Sequence, residues 1–263
     1  MVGYNFDLIL GQRVSFAPAA DTLRFEVTQA NAVSFATSGV TLIATAPQGS
    51  AILDATPQYP ATSLGLFDLT NNHFASNSIL AVGDLTIDDT LDGNANTIDF
   101  NANALLASAL NANNQINGLG GGDTINILAG TGNNLIFGGA GGDTILAGNG
   151  NNTIYGGSGF IDSTDGADKI TVSGGSNLIY GNGGADSVSF SAPTSSGTLT
   201  RFFGGAGGDT ITANVALGLF ELNGGTDSDL LRLTNATANN TLYGGLGTDT
   251  IDLSDLSLDS TGE

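Results

Sequence analysis

Large aliphatic residues recur at a fixed place in short glycine-rich or asparagine-containing segments over the second half of the chain. Each segment reads as a turn followed by a strand, and the eighth position of every half-turn is apolar. Because side chains alternate between the two faces of a strand, these residues share one face. The pattern predicts two parallel sheets around a thin core that contains Ile116, Ile125, Ile136, Ile145, Ile154, Ile170, Ile179, Val188, Phe202, Ile211, Leu222, Leu231, Leu242 and Ile251.

Half of the turns end in aspartate, at intervals of 18 to 25 residues. Glycine is expected in them because so tight a turn uses backbone angles that a Cβ disfavours. It also lets backbone carbonyls point inward at an ion. The candidate metal ligands are Asp123, Asp143, Asp168, Asp186, Asp209, Asp229 and Asp249, with the turn glycines Gly118, Gly120, Gly138, Gly156, Gly181, Gly183, Gly204, Gly224 and Gly244.

Calcium is the cation that such turns favour. It takes about 6–8 oxygen ligands and accepts carbonyls together with carboxylates. One aspartate cannot fill that shell, but two turns stacked about 4.8 Å apart can. We therefore expect each ion between successive turns, with at most six gaps between the seven aspartate turns. The alternative is that glycine and aspartate merely form turns.

The other series of turns carries asparagine in the equivalent place. Asparagine keeps a side-chain oxygen but has no charge, so we expect amide ladders with little or no calcium along that edge. Its residues are Asn114, Asn134, Asn152, Asn177 and Asn240.

Two turns depart from the pattern. Residues 160–167 are inserted into one aspartate turn. Asp162 and Asp165 in this insertion either supply extra ligands or lie in a solvated loop, and the solvated loop is the favoured interpretation. In the turn 224–229, Asp227 replaces a glycine.

The repeated Gly-Gly-x-Gly-x-Asp-x-U-x pattern, in which U is a large aliphatic residue, resembles the RTX family of secreted calcium-binding proteins from about residue 114 to 252. The resemblance implies an all-β fold, a right-handed parallel β-roll or β-helix solenoid that binds several Ca²⁺ ions. It also implies a secreted bacterial protein that leaves the cell by type I secretion.

The first 113 residues lack the repeat. Alternating patterns predict strands at 5–10, 13–17, 22–27, 32–36, 40–46 and 51–55, so residues 1–80 are interpreted as an N-terminal β cap region. Residues 81–113 form a transition segment, in which Asn96 occupies an aspartate slot and 101–112 form either a short helix or a wide loop. The calcium-binding roll spans 114–263.

An aromatic row follows the inward residues of the asparagine-type strands. Its members are Phe137, Tyr155, Tyr180, Phe203 and Tyr243. They face outward, and either stack on one another or form an apolar stripe for self-association.

Charge and residue usage narrow the function. With 25 acidic and 5 basic residues the net charge is −20, which excludes nucleic acid as a natural partner. Such a chain repels itself without metal, so calcium binding and folding are expected to be one event. There is no cysteine and one histidine, His73, so no catalytic set is predicted. There is also no membrane-length apolar run.

These observations predict a secreted, non-enzymatic structural protein that binds calcium and self-assembles in a surface layer, extracellular matrix or filament. A cell-surface polysaccharide is a second candidate partner. The alternative is the roll module of a larger secreted enzyme, toxin or adhesin, in which the roll aids export and folding.

Overall fold

The computed structural model describes residues 3–6, 12–16, 22–24, 28, 30–38, 41–55, 72–83, 85, 93–160, 162–190, 198–214, 218–234 and 240–254. Nearly all the regular structure in these ranges is β, which confirms the predicted fold class. The core of the fold is a parallel β-solenoid.

Two small sheets form before the solenoid. One is parallel, in the order β1-β3-β7, and the other has the order β2-β6-β5-β4. Short 3₁₀ turns lie at Ala30–Ala32 and Ala75–Asn77. Four of the predicted strands correspond closely to β2, β4, β5 and β6, and a fifth corresponds in part to β3. Most of the one predicted at 5–10 lies outside the described residues. The strands are β1 (Gly3–Asn5), β2 (Arg13–Phe16), β3 (Thr22–Arg24), β4 (Ser34–Ser38), β5 (Thr41–Ala46), β6 (Gly49–Ala55) and β7 (Asn72–His73).

The solenoid consists of two eight-stranded parallel sheets, and successive coils add one strand to each. The first sheet contains β8 (Leu80–Val82), β10 (Gln115–Asn117), β12 (Leu135–Phe137), β14 (Thr153–Tyr155), β16 (Leu178–Gly183), β18 (Leu199–Ala206), β20 (Leu219–Thr226) and β22 (Thr241–Leu246). The second contains β9 (Thr97–Asp99), β11 (Thr124–Ile127), β13 (Thr144–Ala147), β15 (Lys169–Val172), β17 (Ser187–Phe190), β19 (Thr210–Asn214), β21 (Leu230–Thr234) and β23 (Thr250–Asp252).

Equivalent residues of neighbouring coils are directly paired. Ile116 pairs with Ile136, and Ile125 pairs with Ile145. This register places the aliphatic residues of the repeat one above another inside the solenoid. The apolar residues predicted to face inward are buried from Ile116 to Leu231, and Leu242 is half-buried against them.

Ile251 is the exception, because 46% of its surface is exposed. The prediction that it is buried was wrong. It lies on β23, the outermost strand of its sheet, and an inward-facing residue needs coils on both sides to exclude water.

The solenoid has a coil before residue 114. Strand β8 pairs with β10 and β9 pairs with β11, so residues from the transition segment and from the end of the predicted cap form the first rungs. One helical turn, α1 (Ala104–Ala107), lies between β9 and β10. Its N-cap Asn103 accepts hydrogen bonds from Leu105 N and Leu106 N, and Leu106 joins the core. The short helix was one of the two alternatives for this stretch.

The outward aromatic rings stack along the solenoid axis, as the first of the two interpretations requires. Ring centroids lie 5.1 Å apart for Phe137 and Tyr155, 5.0 Å for Tyr155 and Tyr180, and 5.3 Å for Tyr180 and Phe203. The planes are within 15° of parallel, so the rings cover one another's faces.

Candidate metal centre

The turns that end in aspartate lie along one margin of the solenoid, which we call the Asp edge. From Asp143 onward, each of these carboxylates uses its Oδ1 atom to accept a hydrogen bond from the backbone N–H of the aspartate one coil earlier. The N···Oδ1 distance is 2.7 Å from Asp123 to Asp143, 2.8 Å from Asp186 to Asp209 and 3.1 Å from Asp229 to Asp249. The ladder begins at Asn96, whose N–H donates to Asp123 Oδ1. The register therefore holds every carboxylate in the same orientation.

The second carboxylate oxygen is buried and has no protein partner. This holds for the Oδ2 atoms of Asp143, Asp168, Asp186, Asp209 and Asp229, whose side chains are at most 3% exposed. A buried polar atom without a hydrogen bond costs roughly 1–3 kcal/mol, and a buried unpaired charge costs more. A repeated row of such atoms indicates a cation.

The first glycine of each turn makes room for this oxygen. A Cβ on Gly204 would collide with Asp209 Oδ2 and with the carbonyl oxygen of Gly224, the first glycine of the next turn. The same pair of oxygens surrounds Gly138, Gly181 and Gly224. A carboxylate oxygen and a carbonyl oxygen thus converge at each first glycine, and calcium accepts both ligand types.

Burial makes these carboxylates unfavourable as bare anions. It raises the pKa of Asp168 to about 9 and that of Asp186 to about 8; backbone N–H donors oppose the shift and neighbouring carboxylates add to it. Burial likewise raises the pKa of Asp143 and Asp209 to about 7. At neutral pH the Asp edge therefore needs either protons or cations.

The opposite margin, which we call the Asn edge, shows what happens when nitrogen replaces the second oxygen. Asn134 Oδ1 accepts from Asn114 N at 3.1 Å, just as aspartate does on the Asp edge. Its Nδ2 donates to Gly132 O at 2.9 Å and to Asn152 Oδ1 at 3.0 Å. The amide group thus has a hydrogen-bond partner for both its oxygen and its nitrogen, and the turn needs no ion. The predicted amide ladder is confirmed from Asn114 to Asn177.

Two features of the Asn edge were not predicted. Thr200 takes the place of asparagine in one coil, where its Oγ1 accepts from Asn177 N at 3.3 Å. A second ladder runs in the opposite direction, because Asn151 N donates to Asn133 Oδ1 at 2.7 Å and Asn133 N donates to Asn113 Oδ1 at 2.8 Å. The sequence feature that could have predicted this second ladder is the pair of adjacent asparagines at 113–114, 133–134 and 151–152.

Side chains alone do not form a metal site in the described part of the chain, since no three acidic or histidine side chains converge there. This agrees with a site in which each turn supplies one carboxylate and backbone carbonyls supply the other ligands. All the available donors are oxygen atoms, which suits calcium and not the nitrogen- and sulfur-preferring metals.

The glycine positions of the turns differ in how strictly they require glycine. Gly205 and Gly207 have φ values of 107° and 113°, where a side chain is strained. Gly183 and Ala206 are paired in the third place of their turns, and Gly120 bridges to Ala140 in the same place. This position therefore accepts residues other than glycine. Asp227 adopts φ 78° in a place that is otherwise glycine, and it is exposed.

The two aspartates of the insertion differ from each other. Asp162 Oδ2 accepts from Ser158 N and its Oδ1 accepts from Thr164, so it stabilises the loop. Asp165 Oδ2 is buried without a protein partner. The solvated loop that the sequence favoured describes Asp162 better than Asp165.

A comparison with protein-family models identifies the repeat. The model for the RTX calcium-binding nonapeptide repeat (4 copies) matches residues 128–160, 162–192 and 237–255. Searches of the curated proteins and of the solved structures gave no match. The coils between 198 and 234 lie outside the matched segments but have the same ladder and the same buried carboxylates.

The fold and its oxygen-lined edge define a calcium-binding parallel β-solenoid. The repeats in the matched segments are RTX calcium-binding nonapeptide repeats, and together with the two parallel sheets they support an RTX-type β-roll. Ca²⁺ is the ion that such repeats bind. The roll is a structural calcium-binding domain of a kind typical of secreted bacterial proteins. None of the described helices is long and apolar enough to cross a membrane.

Proposed function

We propose that this chain is a secreted, non-enzymatic structural protein whose roll folds when calcium binds. The observation that carries the proposal is the row of buried carboxylate oxygens without partners on the Asp edge, next to a satisfied amide ladder on the Asn edge. Where calcium is scarce the chain stays unfolded and exportable, and about millimolar calcium outside the cell stabilises the roll.

The ligands in this proposal are the Oδ2 atoms of Asp123, Asp143, Asp168, Asp186, Asp209, Asp229 and Asp249, joined by backbone carbonyls of the turn glycines. When bound, calcium supplies positive charge between adjacent carboxylates. Each inner turn borders two gaps, so its aspartate can serve ions on either side. Asp249 lies in the last described coil and is half-exposed. Among the described residues, a neighbouring turn faces it on one side only.

Self-association is the second part of the proposal. Within the described residues, β22 and β23 have no strand on their outer side, and such edges can pair with another chain. The last coil also exposes apolar surface, with Tyr243 54%, Leu246 72% and Ile251 46% exposed. Both features support end-to-end contact between copies in a surface layer, matrix or filament.

The test is a calcium titration of the purified chain, beginning with metal-free protein. Circular dichroism should report a gain of β-structure, and light scattering should report first compaction and then assembly. Magnesium at the same ionic strength is the control, because its small octahedral shell suits these turns poorly. Unchanged spectra and size in calcium would overturn the proposal.

The alternative function is a module within a larger secreted enzyme, toxin or adhesin. The continuous core of the roll supports it, since the coils from β8 to β23 pack on one another around one hydrophobic cluster. The complete reading frame distinguishes the two, because a catalytic domain beside these residues would decide for the module.

A further inference from the structure

The insertion in the aspartate turn at 156–168 keeps the turn in register with its neighbours. Gly166 packs against Gly141 of the preceding turn, and Gly184 of the following turn packs against Gly166. Asp165 directly precedes Gly166. It therefore occupies the third place of its turn, where the neighbouring turns carry Ala140 and Gly183.

Only one of the two carboxylate oxygens of Asp165 accepts hydrogen bonds from the backbone. Its Oδ1 accepts from Gly166 N at 2.8 Å and from Gly141 N at 3.2 Å. Its Oδ2 is buried and has no protein partner. A Cβ on Gly157 would lie 2.6 Å from that Oδ2, whereas a Cβ on Gly156 would collide with Asp168 Oδ2. The two unpartnered oxygens therefore face adjacent residues of one turn.

Asp168 provides independent support for a ligand at this place. It is 2% exposed, and its Oδ2 also lacks a protein partner. Asp165 raises the pKa of Asp143, Asp168 and Asp186, after the larger effect of burial, so its charge reaches the turns on both sides. The neighbouring Lys169 is exposed and does not share the buried face of β15.

We propose that Asp165 is an additional calcium ligand, and that the turn 156–168, with two inward carboxylates, is the tightest calcium position on the Asp edge. The inference rests on the calcium-binding function proposed above. It adds a ligand at the third place of the nonapeptide, where the pattern specifies no residue type. The insertion thus serves to deliver a second carboxylate to one turn and makes the otherwise repetitive sites unequal.

Asp162 in the same loop is a matched control. It lies three residues earlier and carries the same charge, but its oxygens accept hydrogen bonds from Ser158 and Thr164. Asp165→Asn keeps the Oδ1 acceptor for both backbone N–H groups and removes the charge. A comparison of Asp165→Asn with Asp162→Asn therefore separates ligation from loop stability and from total charge.

The experiment is a calcium titration of the full chain in competition with a chromophoric chelator, which resolves the tightest class of sites. Because calcium affinity follows the number of charged ligands, Asp165→Asn should weaken the tightest class by about tenfold or more, whereas Asp162→Asn should change it by less than about twofold. Circular dichroism at saturating calcium should show both variants folded.

Each other outcome overturns the inference. Equal titrations of wild type and Asp165→Asn would show that Asp165 is not a ligand, and equal losses in both variants would show an effect of loop charge. An Asp165→Asn chain that stays unfolded at saturating calcium would show a structural role in its place. A wild-type chain that binds no calcium would remove the proposed function itself, which is a different result.

Discussion

Replacing Asp209 by asparagine should stabilise the metal-free roll and remove the stabilisation that calcium provides at one site. Asp209 Oδ1 accepts from Asp186 N at 2.8 Å, and its Oδ2 is buried without a protein partner. Asparagine keeps the acceptor and puts an N–H donor where the unpartnered oxygen lies, as Asn134 does on the Asn edge. The variant thus exchanges a calcium ligand for a hydrogen bond.

The two effects have opposite signs. Without metal, removing an unsatisfied buried acceptor should stabilise Asp209→Asn by about 1–3 kcal/mol relative to wild type. With calcium at about 100 times the dissociation constant, the variant also loses about 2.7 kcal/mol of stabilisation from one site, so its free energy of unfolding should differ from that of wild type by about −1.7 to +0.3 kcal/mol. For a domain of this size, 1 kcal/mol shifts Tm by about 2–4 °C.

Unfolding followed by circular dichroism in chelator and in calcium measures both values, with a stabilising osmolyte added wherever the metal-free chain is not folded. Asp209→Ala is the control. It removes Oδ1 as well and leaves Asp186 N–H without its acceptor, so it should be less stable than Asp209→Asn in both buffers. If Asp209→Asn is destabilised equally with and without calcium, or if calcium stoichiometry does not fall, the reasoning is refuted.

Three further predictions follow from the same geometry. Gly204→Ala should lower calcium affinity at least about tenfold, because its Cβ would collide with Asp209 Oδ2, whereas Gly159→Ala, which meets no atom within 4 Å, should leave titrations unchanged. Asn134→Asp should destabilise the metal-free roll, kept folded by the same osmolyte, by about 1–3 kcal/mol in urea unfolding, because two amide hydrogen bonds are lost. Metal-free protein should lose stability as pH rises. Burial raises the pKa of Asp168 from 3.8 to about 9, so the folded state binds more protons than the unfolded state between these values. The stability is therefore fully present below about pH 4 and is lost as pH rises towards 9. Circular dichroism at pH 5 and pH 9 tests this, and greater stability at pH 9 would contradict it.

The repeat made most of the roll predictable, because a residue in constant phase meets the same surroundings in every coil. Ile145 and Ile170 are paired and buried for the reason that the pattern gives. Phase also distinguished the two edges, since Asp and Asn alternate along the chain. Ile251 shows the limit of this reasoning, because burial at the end of a stack depends on what covers the last coil.

The parts that break the repeat were harder to predict. Strand β9 carries Ile98 into the core although its turn has Asn96 in the aspartate slot, so the first coil was assigned to a transition segment. Asp165 lies in an insertion whose path no period describes. Only the stacking of Gly166 between its neighbours shows where that carboxylate lies.

The amide ladders of the Asn edge have a further consequence for how the roll opens. Their bonds join side chains to the backbone of adjacent coils and need no ion. Chelation therefore acts on a single margin. Any coils that persist in chelator stay aligned by asparagine, and when calcium returns, recovery starts from strands that already match. In chelator, amide hydrogen exchange should accordingly be faster along the Asp edge than along the Asn edge.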